Sequence, residues 1–105
     1  MRKIESEMVA AIQAGDTFLK DNTEVRAVHV LGETEADDFE VMNVYLHGNP
    51  IASVFHAGTS DEFTTIDLGT LRRWPTRTTI SRLRALGVDV CTRKGQVMID
   101  GEVVL

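Results

Sequence analysis

Cysteines and long apolar runs are scarce in this chain of 105 residues, and each scarcity excludes a class of protein. Cys91 is the only cysteine, so no disulfide can form within the chain, and a lone thiol fits a reducing compartment. No apolar stretch approaches the roughly 20 residues that span a bilayer. The segment 1–15 carries Glu5 and Glu7 where a signal peptide needs an unbroken apolar run. We therefore expect a cytoplasmic protein without a membrane span or a targeting segment.

Recognisable catalytic and metal-binding motifs are also missing. There is no phosphate-binding glycine loop, no nucleophile elbow and no Cys-x-x-Cys pair. The histidines at 29, 47 and 56 fall in separate segments, and a hairpin between the last two would hold them apart. We therefore expect no metal, no cofactor and no enzymatic activity.

The length and the apolar content fit one domain that covers residues 1–105. Ile4, Met8 and Ile12 recur at helical spacing and predict a helix from Lys3 to Ala14, with Gly15 as its stop. A second helix is predicted from Thr76 to Leu86, with its apolar row formed by Ile80, Leu83 and Leu86. These two segments are the only helices that the pattern predicts.

The remaining segments predict strands. Residues 22–31, 39–47, 50–56 and 62–69 form four of them, and Gly48-Asn49 is taken as the turn of the central hairpin. That register places Ser53 and Phe55 on the core face with Ile51. Turns at Lys94-Gly95 and Asp100-Gly101 predict a second hairpin and a short last strand. The order α-β-β-β-β-α-β-β(-β) predicts an α+β fold, an antiparallel sheet of about five to seven strands with two helices.

Charge is divided unevenly along the chain. Residues 1–71 hold 13 acidic and 4 basic side chains, whereas residues 72–105 hold 3 acidic and 7 basic ones. Five of the arginines fall between positions 72 and 84, around a tryptophan. These candidate partner-binding residues are Arg72, Arg73, Trp74, Arg77, Arg82 and Arg84. If the apolar row of the second helix faces the sheet, the arginines lie outside, where they can bind phosphate or carboxylate and the tryptophan can stack. A solvated basic face is the structural alternative.

A second charged cluster lies in the polar loop after the first long strand. Its members are Glu33, Glu35, Asp37, Asp38 and Glu40. Their spacing does not match an EF-hand loop. We interpret the cluster either as a solvated loop or as an acidic surface for a basic partner, which can be another protein or the arginine helix of a second copy.

Four fragments carry a family resemblance: "NTEV" at 22–25, "LHGNPIA" at 46–52, "WPTRTT" at 74–79 and "SRLRAL" at 81–86. Together they resemble a family of small proteins from tailed bacteriophages whose function is unknown. Arg73 and Arg84 depart from the family pattern, which has glycine and asparagine there. The resemblance implies a phage origin and the cytoplasm of an infected host, and it supplies no catalytic residue.

These observations lead to three functional hypotheses. The first is a non-enzymatic phage accessory protein that binds a host or phage protein, such as an inhibitor of a host defence or nucleic-acid enzyme. The alternative is direct nucleic-acid binding through the arginine segment. The third is a homodimer in which the acidic loop meets the arginine helix, helped by an apolar edge at Val103, Val104 and Leu105.

Overall fold

A computed structural model describes residues 1–104. The described chain forms three α-helices and eight strands, and the predicted α+β class and element order are confirmed. The helices are α1 (Lys3–Ala14), α2 (Leu68–Arg73) and α3 (Arg77–Ala85). The strands are β1 (Phe18–Lys20), β2 (Thr23–Val30), β3 (Phe39–Leu46), β4 (Asn49–Phe55), β5 (Phe63–Ile66), β6 (Val90–Arg93), β7 (Gln96–Ile99) and β8 (Glu102–Val103). No helix in residues 1–104 has both the length and the apolar character to cross a bilayer.

Helix α1 has the predicted bounds. Met8 and Ile12 of its apolar stripe are buried, and Gly15 ends the helix with a φ of 73°. Glu5, which lies three residues before Met8, is 3% exposed, so the stripe includes a buried carboxylate.

Strands β1 to β5 form an antiparallel sheet in which each strand pairs with its neighbours in sequence. The short strand β1 was not anticipated from the sequence; it pairs with the start of β2. Helices α1 and α3 bury Met8, Ile12 and Leu83 in one cluster with Val25 and Val44 of the sheet. The core therefore lies on one face of this sheet.

The predicted turn of the central hairpin is wrong by one residue. The turn is His47-Gly48, with φ values of 52° and 78°, and Leu46 pairs with Asn49. Both residues of a type I′ turn need positive φ, and histidine tolerates that conformation better than most residues do. Glycine therefore occupies the second turn position, as it also does in the confirmed Lys94-Gly95 turn.

A bulge next to this turn changes which side chains of β4 are buried. Tyr45 pairs with Pro50 and Val44 pairs with Ala52, so Ile51 is the extra residue. Ile51 and Ala52 are consequently both buried. The prediction that Ser53 and Phe55 face the core is wrong, because the bulge shifts the alternation by one residue.

The last three strands form a separate antiparallel sheet, β6-β7-β8, so the strands divide between two sheets instead of extending one. Val90 and Val97 of this small sheet join the core cluster. Helix α2 is also additional to the sequence prediction: it follows β5 directly, is capped by the Asp67 carboxylate and buries Leu71.

Candidate functional site

The arginine segment forms a corner between α2 and α3, and we call its exposed residues 72–77 the arginine corner. Arg72, Arg73, Trp74 and Arg77 are all exposed, as predicted. The Arg73 guanidinium carbon lies 5.2 Å from the centroid of the Trp74 ring. None of these arginines forms a salt bridge within residues 1–104, so the corner presents unpaired positive charge.

The prediction that Arg82 lies outside with the other arginines is wrong. Arg82 is 3% exposed, and its guanidinium donates from Nη1 to Glu5 Oε2 at 2.8 Å and from Nε to Thr23 Oγ1 at 3.0 Å. The Ser81 hydroxyl donates to the same carboxylate oxygen at 2.6 Å. This side of α3 faces α1, so Arg82 connects three elements and is removed from the candidate binding surface.

The environment of Glu5 keeps its carboxyl ionised. Burial raises its pKa, but the hydrogen bonds from Ser81 and Arg82 outweigh burial and leave the pKa below the ordinary value of 4.5. The pair is therefore a satisfied internal ion pair.

A cleft of about 360 Å³ opens beside the arginine corner. The hairpin forms one wall, with Leu46 and Ile51 as buried apolar surface and His47 and Asn49 as polar surface. The His47 backbone N–H donates to Asn22 O at 2.8 Å, which holds the turn in place.

The helical segments form the opposite wall of the cleft. Thr70 and Trp74 come from α2 and its end, and Thr76, Thr78 and Thr79 come from the first turn of α3. Thr76 Oγ1 caps α3 by accepting from the Thr79 N–H at 3.2 Å. The cleft thus combines one aromatic ring, an apolar floor and several hydroxyl groups, with arginines on either side of Trp74 in the chain.

The acidic loop between β2 and β3 is ordered by its own carboxylates. Asp38 accepts from the Gly32 N–H at 2.8 Å and lies 3.3 Å from His29 Nε2, and Asp37 accepts from the Thr34 hydroxyl at 3.1 Å. A Cβ on Gly32 would lie only 2.4 Å from that of Asp37, so the backbone is packed tightly. Two of the five predicted acidic residues therefore build the loop.

The other three acidic residues present free carboxylates. Glu33, Glu35 and Glu40 are exposed and form no salt bridge within the described part of the chain. Glu40 differs from the other two because its carboxylate lies beside Gly15, at the end of α1, where a Cβ built on Gly15 would be 3.7 Å from Glu40 Oε2. Glu33 and Glu35 are thus the carboxylates presented away from the core.

The face of the large sheet opposite the helices carries an apolar row. Val28, Val41, Phe55 and Phe63 are successive cross-strand neighbours on β2 to β5. The Phe55 and Phe63 rings stack with centroids 4.7 Å apart. Val41 is 6% exposed yet belongs to no part of the core cluster, whereas Val28 and Phe63 are 41% and 50% exposed. We call this row the open sheet face.

The two charged surfaces lie at opposite ends of the large sheet. The acidic loop enters β3 at Phe39, beside the open sheet face, and β3 leaves at Leu46, which lines the cleft. They do not meet within one copy of the chain.

The histidines occupy three separate environments. His29 lies beside Asp38, His47 beside Asn22, and His56 against the Phe39 ring. Within residues 1–104, no group of three His, Cys, Asp or Glu side chains is arranged to hold a metal ion.

The fold defines a small α+β domain with its helices on one face of an antiparallel meander. Residues 1–104 match the family of the Kyanoviridae Gp96 protein, and the chain belongs to this family of tailed-phage proteins. No curated protein and no solved structure matches the chain significantly.

The fragments that carry the family resemblance converge in space. Asn22 contacts His47, Thr23 accepts from Arg82, and the fragments 46–52 and 74–79 supply most of the cleft walls. Fragments that are far apart in sequence therefore build one region of the surface and its support.

Among the residues that line the cleft, sequence reasoning named only Trp74 as a site residue, and it also missed Glu5, the partner of Arg82. Glu5 had a readable signal, since it falls in the same helical stripe as Met8 and Ile12, and a charge in an apolar stripe needs a buried partner. Asn49 was assigned to the turn, and no local pattern brings Thr78 to it.

Proposed function

We propose that this phage protein is a non-enzymatic accessory protein that binds another protein in the cytoplasm of the infected host. The binding surface is the open sheet face together with the acidic loop. A host defence or nucleic-acid enzyme fits as the partner, since such enzymes present basic surfaces around their nucleic-acid sites.

The observation that carries the proposal is the uncovered apolar row. Val28 and Phe63 expose 41% and 50% of their surface at its two ends, and Leu31 beyond it is 76% exposed. The exposed surface of the row is concentrated at its ends, since Val41 is 6% exposed and Phe55 is partly buried under its stacked neighbour Phe63. Exposed apolar patches with a polar rim mark interaction sites in soluble proteins. The stacked pair Phe55 and Phe63 lies at one end of the row, and phenylalanine is enriched in protein interfaces.

Charge supports a basic partner. Glu33 and Glu35 extend from a loop that internal hydrogen bonds already order, so little conformational freedom is lost when they are engaged. Rim charges of this kind chiefly accelerate association and select the partner.

The experiment compares two apolar-to-lysine changes on the two edge strands. Phe63 lies on edge strand β5 within the open sheet face, and Leu19 lies exposed on edge strand β1 at the other side of the sheet. The wild-type protein is used to capture partners from host lysate, and the affinity of the purified partner is then measured for each variant.

Phe63→Lys should weaken binding by about thirtyfold, the equivalent of one dominant interface residue, while Leu19→Lys should leave it unchanged. Changing Glu33 and Glu35 together to lysine should slow association and reduce its salt dependence. A partner that is lost with Leu19→Lys or Arg77→Gln, and kept with Phe63→Lys, would contradict the proposal.

A further inference from the structure

We infer that the cleft beside the arginine corner binds a nucleotide, either free or as one unit of a single strand, with the base against Trp74 and the phosphate on the arginines. This site lies at the opposite end of the sheet from the open sheet face and does not depend on the protein-binding proposal.

The shape and lining of the cleft fit a flat ring. Leu46 and Ile51 form an apolar floor with 5% and 2% exposure, and Trp74, 40% exposed, forms an aromatic wall. A volume of about 360 Å³ lies at the small end of the roughly 300–1,000 Å³ typical of ligand pockets, which suits one nucleotide. Stacking on an aromatic side chain accepts any base, because every base has a flat π-face.

The cleft also offers unused hydrogen-bonding groups for the edge of a base. Asn49 Nδ2 makes only a long contact of 3.4 Å to His47 O, and the side chains of Thr70 and Thr78 form no hydrogen bond within residues 1–104. No buried side-chain nitrogen or oxygen in that range is unpaired, so these groups face solvent in the cleft. Amide and hydroxyl groups both donate and accept, as the edges of bases do.

The phosphate has a cationic surface beside the ring. The Arg73 guanidinium carbon lies 5.2 Å from the centroid of the Trp74 ring, and Arg72 and Arg77 are within three residues of Trp74 in the sequence. All three are exposed and have no acidic partner in the described chain. Guanidinium groups bind phosphate bidentately, so the ring and the charge together select a base that carries a phosphate over a simple carboxylate.

Trp74 is the only tryptophan in the chain and therefore reports on the site directly. Its emission is followed while the four ribonucleoside 5′-monophosphates are added, and binding is measured in parallel by calorimetry. A nucleoside without phosphate, ribose 5-phosphate without a base, and an eight-nucleotide single strand are the comparison ligands.

We expect at least one nucleotide to quench Trp74 and to bind about tenfold more tightly than its nucleoside or ribose 5-phosphate. Arg77→Gln and Asn49→Ala should each weaken nucleotide binding by about tenfold, and Trp74→Ala should do so by calorimetry. Arg93→Gln, an exposed arginine on the small sheet, is the matched control and should bind as the wild type does. If the single strand binds about tenfold or more tightly than the monophosphate, the natural source is a strand; equal affinities indicate a free nucleotide.

The inference is wrong if no nucleotide binds at millimolar concentration, or if ribose 5-phosphate binds as well as the nucleotides do. It is also wrong if Arg93→Gln weakens binding as much as Arg77→Gln, because the effect would then be general charge. Circular dichroism of each variant separates loss of binding from loss of fold. The more conservative variant Thr78→Val is included because it removes a hydroxyl group of the cleft with little change in side-chain shape.

Discussion

Removal of the Arg82 side chain should destabilise the fold far more than removal of its neighbour Arg84. Arg82 is 3% exposed and contacts Glu5 and Thr23, whereas Arg84 is exposed and forms no salt bridge in the described residues. Breaking a buried ion pair from one side costs about 3–5 kcal/mol, because the remaining charge stays buried without a partner. An exposed substitution costs about 0.5 kcal/mol or less.

The matched variants are Arg82→Met and Arg84→Met, which make the same change two residues apart on α3. Small domains have about 5–15 kcal/mol of stability in total, and 1 kcal/mol shifts Tm by about 4–8 °C. Arg82→Met should therefore lower Tm by at least about 12 °C, and urea denaturation should give the free energy of unfolding of each variant.

Two further measurements separate the ion pair from simple loss of packing. Glu5→Leu combined with Arg82→Met should recover about 2 kcal/mol or more relative to Arg82→Met alone, since no charge is left buried. The cost of Arg82→Met should also shrink at low pH, where Glu5 can take a proton. If Arg82→Met has the same stability as Arg84→Met, the buried pair contributes nothing and this reasoning fails.

Four other perturbations test separate parts of the structure. Gly32→Ala should disorder the acidic loop, seen as faster amide exchange there, because its Cβ would lie 2.4 Å from that of Asp37; unchanged exchange would contradict this. Folding lowers the pKa of Glu5, so the stability that ionised Glu5 contributes is complete above the unfolded pKa of 4.5 and is lost as pH falls through the lower folded pKa. The free energy of unfolding, measured at a series of pH values, tests this. Leu83→Ala should cost about 2–5 kcal/mol by urea denaturation, since Leu83 is fully buried; a tolerated change would mean that α3 is rotated. If the acidic loop meets the arginine corner of a second copy, light scattering should give a dimer mass that falls with salt; a monomer mass at high concentration excludes that assembly.

The sequence predicted the elements whose signals are local. The spacing of Met8 and Ile12 gave α1 its bounds, and Lys94-Gly95 gave the last hairpin its turn. The same turn rule, with glycine second, assigns the central turn to His47-Gly48. The sequence analysis instead placed the turn at Gly48-Asn49, one residue too late. The bulge at Ile51 then changed which side chains of β4 reach the core.

The burial of Arg82 could not be predicted from its own helix. Its position beside Leu83 allows either an exposed or a buried side chain, and the choice depends on Glu5, which lies 77 residues away in sequence. The cleft also depends on distant contacts, since Asn49 and Thr78 line the same cleft only after the hairpin and α3 have packed. Composition and periodicity carry no information about which residues that are distant in sequence lie together in the fold.

The large sheet separates the two charged clusters of the sequence in space. Strand β3 has eight residues, so its ends are about 24 Å apart, and the acidic loop and the cleft with its arginine corner lie at those two ends. The Debye length is about 8 Å at physiological ionic strength, so the two clusters are screened from each other. The acidic loop and the arginine corner therefore do not neutralise each other within one chain, and Arg82 is the arginine of the segment that pairs with a carboxylate of residues 1–71, that of Glu5. Because the two proposed binding surfaces lie towards opposite ends of β3, we expect the proposed protein partner and the proposed nucleotide to bind without competing with each other.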